Sequence, residues 1–288
     1  MRPMRTLRWS LLVGLAISAA ISTNAFAGLP EWGRCVKGGK HSRYTDAACT
    51  GEPVSGGEYE WQKGTTNIAH KGFTSLGGAA ELRTTSGIAT DCTSESAEGR
   101  LTGSKGVEGV VVTFQGCHAN LLGLVCTGGE IEGGEEGYLK EKPGEVKTRE
   151  LKGTLGYIEG KGTAHRVVGI SLAPEQKRGL FAQFICGGVI VVRVGAAPRK
   201  GGGDSIISPI TPVNQMGITA VQTYTQEQVC EEGECHGNGV QIPSGFEGGK
   251  TDVLETELST NFGEVEWARS AQTLTTTNTL EEEVEIKA

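Results

Sequence analysis

The chain has 288 residues, with 45 Gly, 9 Pro and 8 Cys. Its glycine share is about twice the usual 7% or so, yet ordinary proline content without a Gly-X-Y period excludes collagen, and 37% apolar residues argue against wholesale disorder. The formal net charge of −7 disfavours nucleic acid and anionic lipid as partners, because both repel an acidic surface.

Residues 1–27 read as an export signal. Arg2, Arg5 and Arg8 give a positive start, Trp9 to Ile21 is apolar, and Ala25-Phe26-Ala27 is an A-x-A cleavage site. The apolar run, about 13 residues, falls short of the roughly 20 that span a bilayer, and no later segment approaches that length. Removal of the signal takes away three arginines and no acid, moving the net charge from −7 to −10. No Cys follows the cut directly, so a lipid anchor is not expected. The expected location is secreted, extracellular or at the cell envelope, with no transmembrane segment after processing.

Residues 28–65 are loop-rich and hold Cys35, Cys49, Trp32, Tyr44, Tyr59 and Trp61. Residues 66–288 read as a β domain. Val110, Val112 and Phe114 alternate with Val111, Thr113 and Gln115, and Leu151, Gly153, Leu155 and Tyr157 alternate with Lys152, Thr154 and Gly156. Val168, Ile170 and Leu172 repeat the pattern, and Leu180 to Ile185 and Val189 to Val194 flank a hairpin turn at Cys186-Gly187-Gly188. Period two with β-branched residues and glycine-bearing turns is the strand signature, and no helical period persists beyond about two turns. Gly56-Gly57, Gly77-Gly78, Gly128-Gly129, Gly133-Gly134 and Gly248-Gly249 are expected where strands turn. Gly109 and Gly153, inside strand patterns, suggest bulges or close backbone approach. Residues 196–204 combine Pro, basic residues and a Gly triplet and form the best candidate break, after which strands resume. One continuous β unit is favoured over two domains, since each half alone would expose sheet edges. The expected fold is all-β: a disulfide-braced antiparallel sandwich or barrel with a loop-rich N-terminal segment.

All eight cysteines follow the signal, and an even count in an exported chain reads as disulfides. Short loops favour Cys35–Cys49, Cys117–Cys126 and Cys230–Cys235, which leaves Cys92–Cys186 as a long-range bridge. The run Cys230 to His236 also holds three glutamates, so Cys230, Cys235 and His236 are candidate ligands for a soft metal. A zinc motif needs a second ligand pair at recognisable spacing, and a disulfide at a hairpin tip is the simpler reading.

Other candidates are weaker. Gly203-Asp204-Ser205 echoes a hydrolase serine motif, but Ile206 and Ile207 follow where small residues belong, and Ser171 sits inside a strand alternation. Glu130, Glu132, Glu135 and Glu136, like Glu281-Glu282-Glu283, could attract calcium but lack an Asp-x-Asp pattern, so solvated surface is the expectation. His41, His70, His118 and His165 show no ligand pairing. Trp32, Tyr59 and Trp61, with Trp267, could line a sugar-binding face or pack a small disulfide-pinned core. No cofactor fingerprint is present and no cofactor is expected.

Several segments together resemble a group of secreted, Gly-rich, Cys-containing bacterial proteins. They are Glu31-Trp32-Gly33-Arg34-Cys35-Val36, Tyr44 with Cys49, Tyr59-Glu60-Trp61, Gly109 to Phe114 before Gly116-Cys117, and Phe184 to Gly188. Thr211-Pro212-Val213-Asn214, Phe246-Glu247-Gly248-Gly249 and Asp252-Val253-Leu254-Glu255 continue the likeness. It covers nearly all of the chain after the signal, supports an exported β-rich protein, and implies no activity or ligand. Against that group Cys230 and Cys235 look like an addition, which favours a local pair. The leading expectation is a non-catalytic scaffold that binds a ligand or an envelope or glycan partner through its loops. The alternatives are a hydrolase of polysaccharide or peptidoglycan, needing two carboxylates about 5–10 Å apart, and a metal-binding protein using the 230–236 loop.

Overall fold

The computed structural model describes residues 30–51, 53–64, 69–129, 141–158, 167–176, 180–195, 205–231, 234–243, 245–248, 250–251, 254–260 and 265–288. The signal segment, the 196–204 break, Gly133-Gly134, Gly203-Asp204, Glu130 to Glu136 and His165 lie outside the described residues. Strands follow in chain order as β1 (Glu31–Lys37), β2 (Tyr59–Lys63), β3 (Gly72–Gly77), β4 (Ala80–Thr84), β5 (Ala89–Cys92), β6 (Ser94–Thr102), β7 (Gly106–Gln115), β8 (His118–Ala119), β9 (Cys126–Gly128) and β10 (Val146–Lys147). They continue as β11 (Leu151–Ile158), β12 (Val167–Pro174), β13 (Leu180–Cys186), β14 (Ile190–Gly195), β15 (Ile206–Thr211) and β16 (Gly217–Glu231). The last are β17 (Glu234–Ile242), β18 (Gly245–Phe246), β19 (Lys250–Thr251), β20 (Leu254–Thr260) and β21 (Val265–Lys287). No helix occurs among the described residues, and the fold is all-β and antiparallel, as the alternation predicts.

The ladders close on themselves twice. One circuit runs β21–β3–β6–β7–β11–β12–β15–β16 and back to β21. The other runs β21–β4–β5–β8–β9–β13–β14–β20 and back to β21, its β8–β9 step being the His118–Val125 bridge and the hydrogen bond from Cys126 N to Cys117 O. The 23-residue β21 belongs to both. So do three nearly continuous segments, since β3 leads into β4, β5 into β6 and β7 into β8 with breaks of at most two residues. Gly77-Gly78 therefore does not reverse the chain. It marks a break between β3 and β4 while both stay paired to β21. Closing a ladder removes exposed edges, which otherwise invite pairing with other chains. Each circuit is built from strands on both sides of residues 196–204, joined at β12–β15 in the first and β14–β20 in the second.

Inward alternation supplies the core. Val110, Leu151, Leu155, Val168, Ile170 and Leu172 are buried, so the strand faces follow the sequence reading. Gly187 and Gly188 both have positive φ and make the tight β13–β14 turn. Gly109, also at positive φ, sits opposite the register shift between Glu98 and Arg100, the bulge expected of a glycine within a strand. β1 pairs with β2 and with the end of β21, and the Trp32 side chain, 3% exposed, enters the core against Leu101, Ile170, Ile210 and Leu280.

All eight cysteines are bonded, as Cys35–Cys49, Cys92–Cys117, Cys126–Cys186 and Cys230–Cys235. The two outer pairs match the expectation, whereas Cys117–Cys126 and Cys92–Cys186 are corrected. Register places Cys92, Cys117, Cys126 and Cys186 side by side on four successive strands. In such a row Cys92 and Cys186 stand three strand spacings apart, about 14 Å, beyond the roughly 7 Å a disulfide can span. Neighbours along the row pair instead. Four disulfides suit an oxidising environment, extracellular or at the envelope, and no helix among the described residues is long and apolar enough to cross a membrane.

Candidate functional site

Inward-facing residues line up across the shared strands. One row is Asn278, Ser75, Ala97 and Val112, and the next is Thr276, Gly77, Glu95 and Phe114. Ser75, Gly77 and Ala97 carry almost no side-chain volume, while the rows around them hold Phe73, Leu172, Phe184 and Leu274. A protein core otherwise packs like an organic crystal, so this step from small to large leaves a void. The cavity has a volume of about 110 Å³ and draws its lining from both circuits, including Val110, Val112, Phe114, Leu172, Phe184 and Tyr224. A second void of about 20 Å³ lies between Trp32, Phe73, Gln222 and Asn278.

The polar lining is sparse and specific. Glu95 is 3% exposed, and its Oε2 accepts a hydrogen bond of 2.7 Å from the Thr276 hydroxyl. Burial raises its carboxyl pKa, against the opposing effect of that hydrogen bond. Ser75 Oγ lies 2.5 Å from Thr276 Oγ1. Thr276 commits its one proton to Glu95, so Ser75 is the donor to Thr276. Asn278 donates to Ala220 O (3.1 Å) and Gln222 Oε1 (3.0 Å), and Gln222 donates to Ser208 Oγ (3.1 Å). Trp32 Nε1, which borders the smaller void, has no hydrogen-bond partner among the described residues.

Of the site residues singled out from sequence, Cys92 lines the larger cavity and Trp32 the smaller void, and the others lie elsewhere. Cys230 and Cys235 are bonded at the exposed tip of the β16–β17 hairpin beside His236, so neither offers a thiolate to a metal. Among the described residues no group of three or more His, Cys, Asp or Glu could hold a metal ion. Trp32 is inside, whereas Tyr59 and Trp61 are half-buried on β2. Trp61 Nε1 donates to Glu31 Oε1 (2.9 Å), and Lys287 Nζ lies 4.1 Å from the Tyr44 ring and 4.9 Å from the Trp61 ring. Ser171 and Ser205 are buried on or beside strands. Glu281 and Glu282 are part of β21, where Glu281 accepts from Gly72 N and Glu282 bridges Arg34 and Lys71.

One cross-strand row gathers carboxylates on the sheet face opposite Ala80 and Leu82: Thr273, Glu81, Asp91 and His118. Arg83 grips both oxygens of Glu81, and Gln226 from β16 donates to Glu81 and Thr273. Partial burial, then repulsion from Glu81, raises the Asp91 pKa.

Sequence reasoning missed Glu95 and its hydroxyl partners. Ser94-Glu95-Ser96 reads as a polar strand, and nothing local marks Glu95 as facing inward. The available signal was the alternation Leu274, Thr276, Asn278, Leu280, in which two polar side chains occupy a face bounded by leucines. Comparison with protein-family models, curated proteins and solved structures gives no match.

Proposed function

We propose that the chain is an exported binding protein that holds a small, mostly apolar molecule in the interior cavity. The observation that carries this reading is the void of about 110 Å³ in a core braced by closed ladders and disulfides. A cavity of roughly 150 Å³ lined by apolar side chains is enough to take up benzene, so one aromatic ring or a short alkyl chain is the matching size. The signal-like first 27 residues and the oxidising environment implied by the disulfides support export. The resemblance to secreted Gly-rich proteins agrees with it.

Ala97 lines the void from β6, and Ala97→Leu should fill it. Thermal melts in water and in benzene-saturated buffer test the idea. Benzene at ten times its Kd stabilises the native state by about 1.4 kcal/mol, which raises Tm by roughly 3 °C for a domain of this size. Ala97→Leu, or Ser75→Val if that variant folds poorly, should melt at the same temperature with and without benzene. An unchanged wild-type Tm in benzene removes the reading. The hydrolase alternative rests on the opposed Glu81 and Asp91, and Glu81→Gln would abolish any polysaccharide cleavage that the wild type shows.

A further inference from the structure

Glu95 is a buried carboxyl whose partners do not complete it. Its Oε2 receives the Thr276 hydroxyl, and no hydrogen bond among the described residues reaches its other oxygen. None of the ion pairs among the described residues includes it. Carboxylates withdrawn from water are ordinarily paired with a cation or held by several donors. The carboxyl lies where a Cβ on Gly77 would sit, 2.6 Å from Oε2 and 2.9 Å from Leu274 Cδ1. A side chain at position 77 would displace it.

A second polar group of the lining points to the same chemistry. Asn278 has spent its N–H groups on Ala220 and Gln222, so only its carbonyl oxygen is left to offer. Both Glu95 and Asn278 line the cavity, and both present acceptors. A ligand that satisfies them must donate. A hydroxyl has one proton to give, whereas a protonated amine has up to three and supplies the missing positive charge. Most of the remaining lining is apolar, with Phe73, Val112, Phe114 and Phe184 around the void.

We infer that the cavity takes a small apolar amine, with its ammonium group held by Glu95 and Asn278. This rests on the cavity being a ligand site, and the experiment separates the two claims. Benzylamine, benzyl alcohol and toluene share a ring and differ in the head group. Each is titrated into the wild type and into Glu95→Gln at pH 7 by calorimetry. Benzylamine should bind the wild type about tenfold or more tighter than toluene, the effect of one charge-assisted hydrogen bond. Glu95→Gln should erase that preference and keep toluene affinity within about threefold, since only the charge is lost. Toluene or benzyl alcohol binding the wild type as tightly as benzylamine overturns the amine inference and leaves the apolar site standing. Absence of binding by all three overturns both.

Discussion

Glu285 and Glu95 are both buried carboxyls, and their surroundings separate them. Glu285 has 0% exposure, and neither of its oxygens has a hydrogen-bond partner among the described residues. It lies opposite Gly33 on β1, in a place where a Cβ at Gly33 would strike the Trp61 ring, so the N-terminal strands seal it off. Burial pushes its pKa up to about 7, with Lys287 opposing the shift and Asp46 adding to it. A native carboxyl that keeps its proton to about pH 7, while the unfolded chain releases it near 4.5, makes the fold most stable below that lower value. Stability is then lost as pH rises toward 7 and levels off above it. Urea unfolding at pH 4.5, 6 and 8 should show this decline, and Glu285→Gln should flatten the part due to this group. A variant that keeps the full decline would place its origin in other residues. Glu95 differs in having Thr276 as donor and a cavity at its free side, which is why a ligand role attaches to Glu95 and a stability role to Glu285.

At the scale of elements, the disulfides act unequally. Cys126–Cys186 joins β9 to β13 across a sequence separation of 60, whereas Cys230–Cys235 closes a separation of 5 within one hairpin. The chain-entropy argument gives about 4 kcal/mol for the first and about 2 kcal/mol for the second. Cys126→Ala with Cys186→Ala should therefore lower the denaturant midpoint clearly more than Cys230→Ala with Cys235→Ala. Equal losses would mean that strain or residual structure in the unfolded chain outweighs loop closure. The pair Cys230–Cys235 was legible because a hairpin tip brings close neighbours in sequence together. The pairing of the middle four was not, because it depends on which strands stand next to each other.

Across the whole molecule, β21 is shared by both circuits, and its residues 274–280 pair with β16 on one side and with β3 on the other over most of that span. Opening the second circuit leaves these residues paired on both sides, and breaking one ladder of the first leaves them held by the remaining neighbour. Their amides should exchange with solvent only through global unfolding. Hydrogen exchange in low denaturant tests this, with the β16–β17 hairpin tip expected to exchange first. Faster exchange in these residues than in β12 would show that β21 leaves its ladders before the rest of the circuit opens.

Strand class, the inward faces of β7, β11 and β12, the tight turn at Gly187-Gly188, and cysteine chemistry suited to an oxidising compartment were all legible in the sequence. These are local properties: period-two alternation and turn chemistry are written within a few neighbouring residues. The two closed circuits, the Cys92–Cys117 and Cys126–Cys186 bonds, and the cavity emerge only once the strands assemble. Each of these gathers residues from strands far apart in the chain. Thr276, Gly77, Glu95 and Phe114 share one row because β21, β3, β6 and β7 are neighbours in the ladder. The cavity exists because small residues on separate strands meet there, and Glu95 becomes a site only when Thr276 arrives from nearly two hundred residues away.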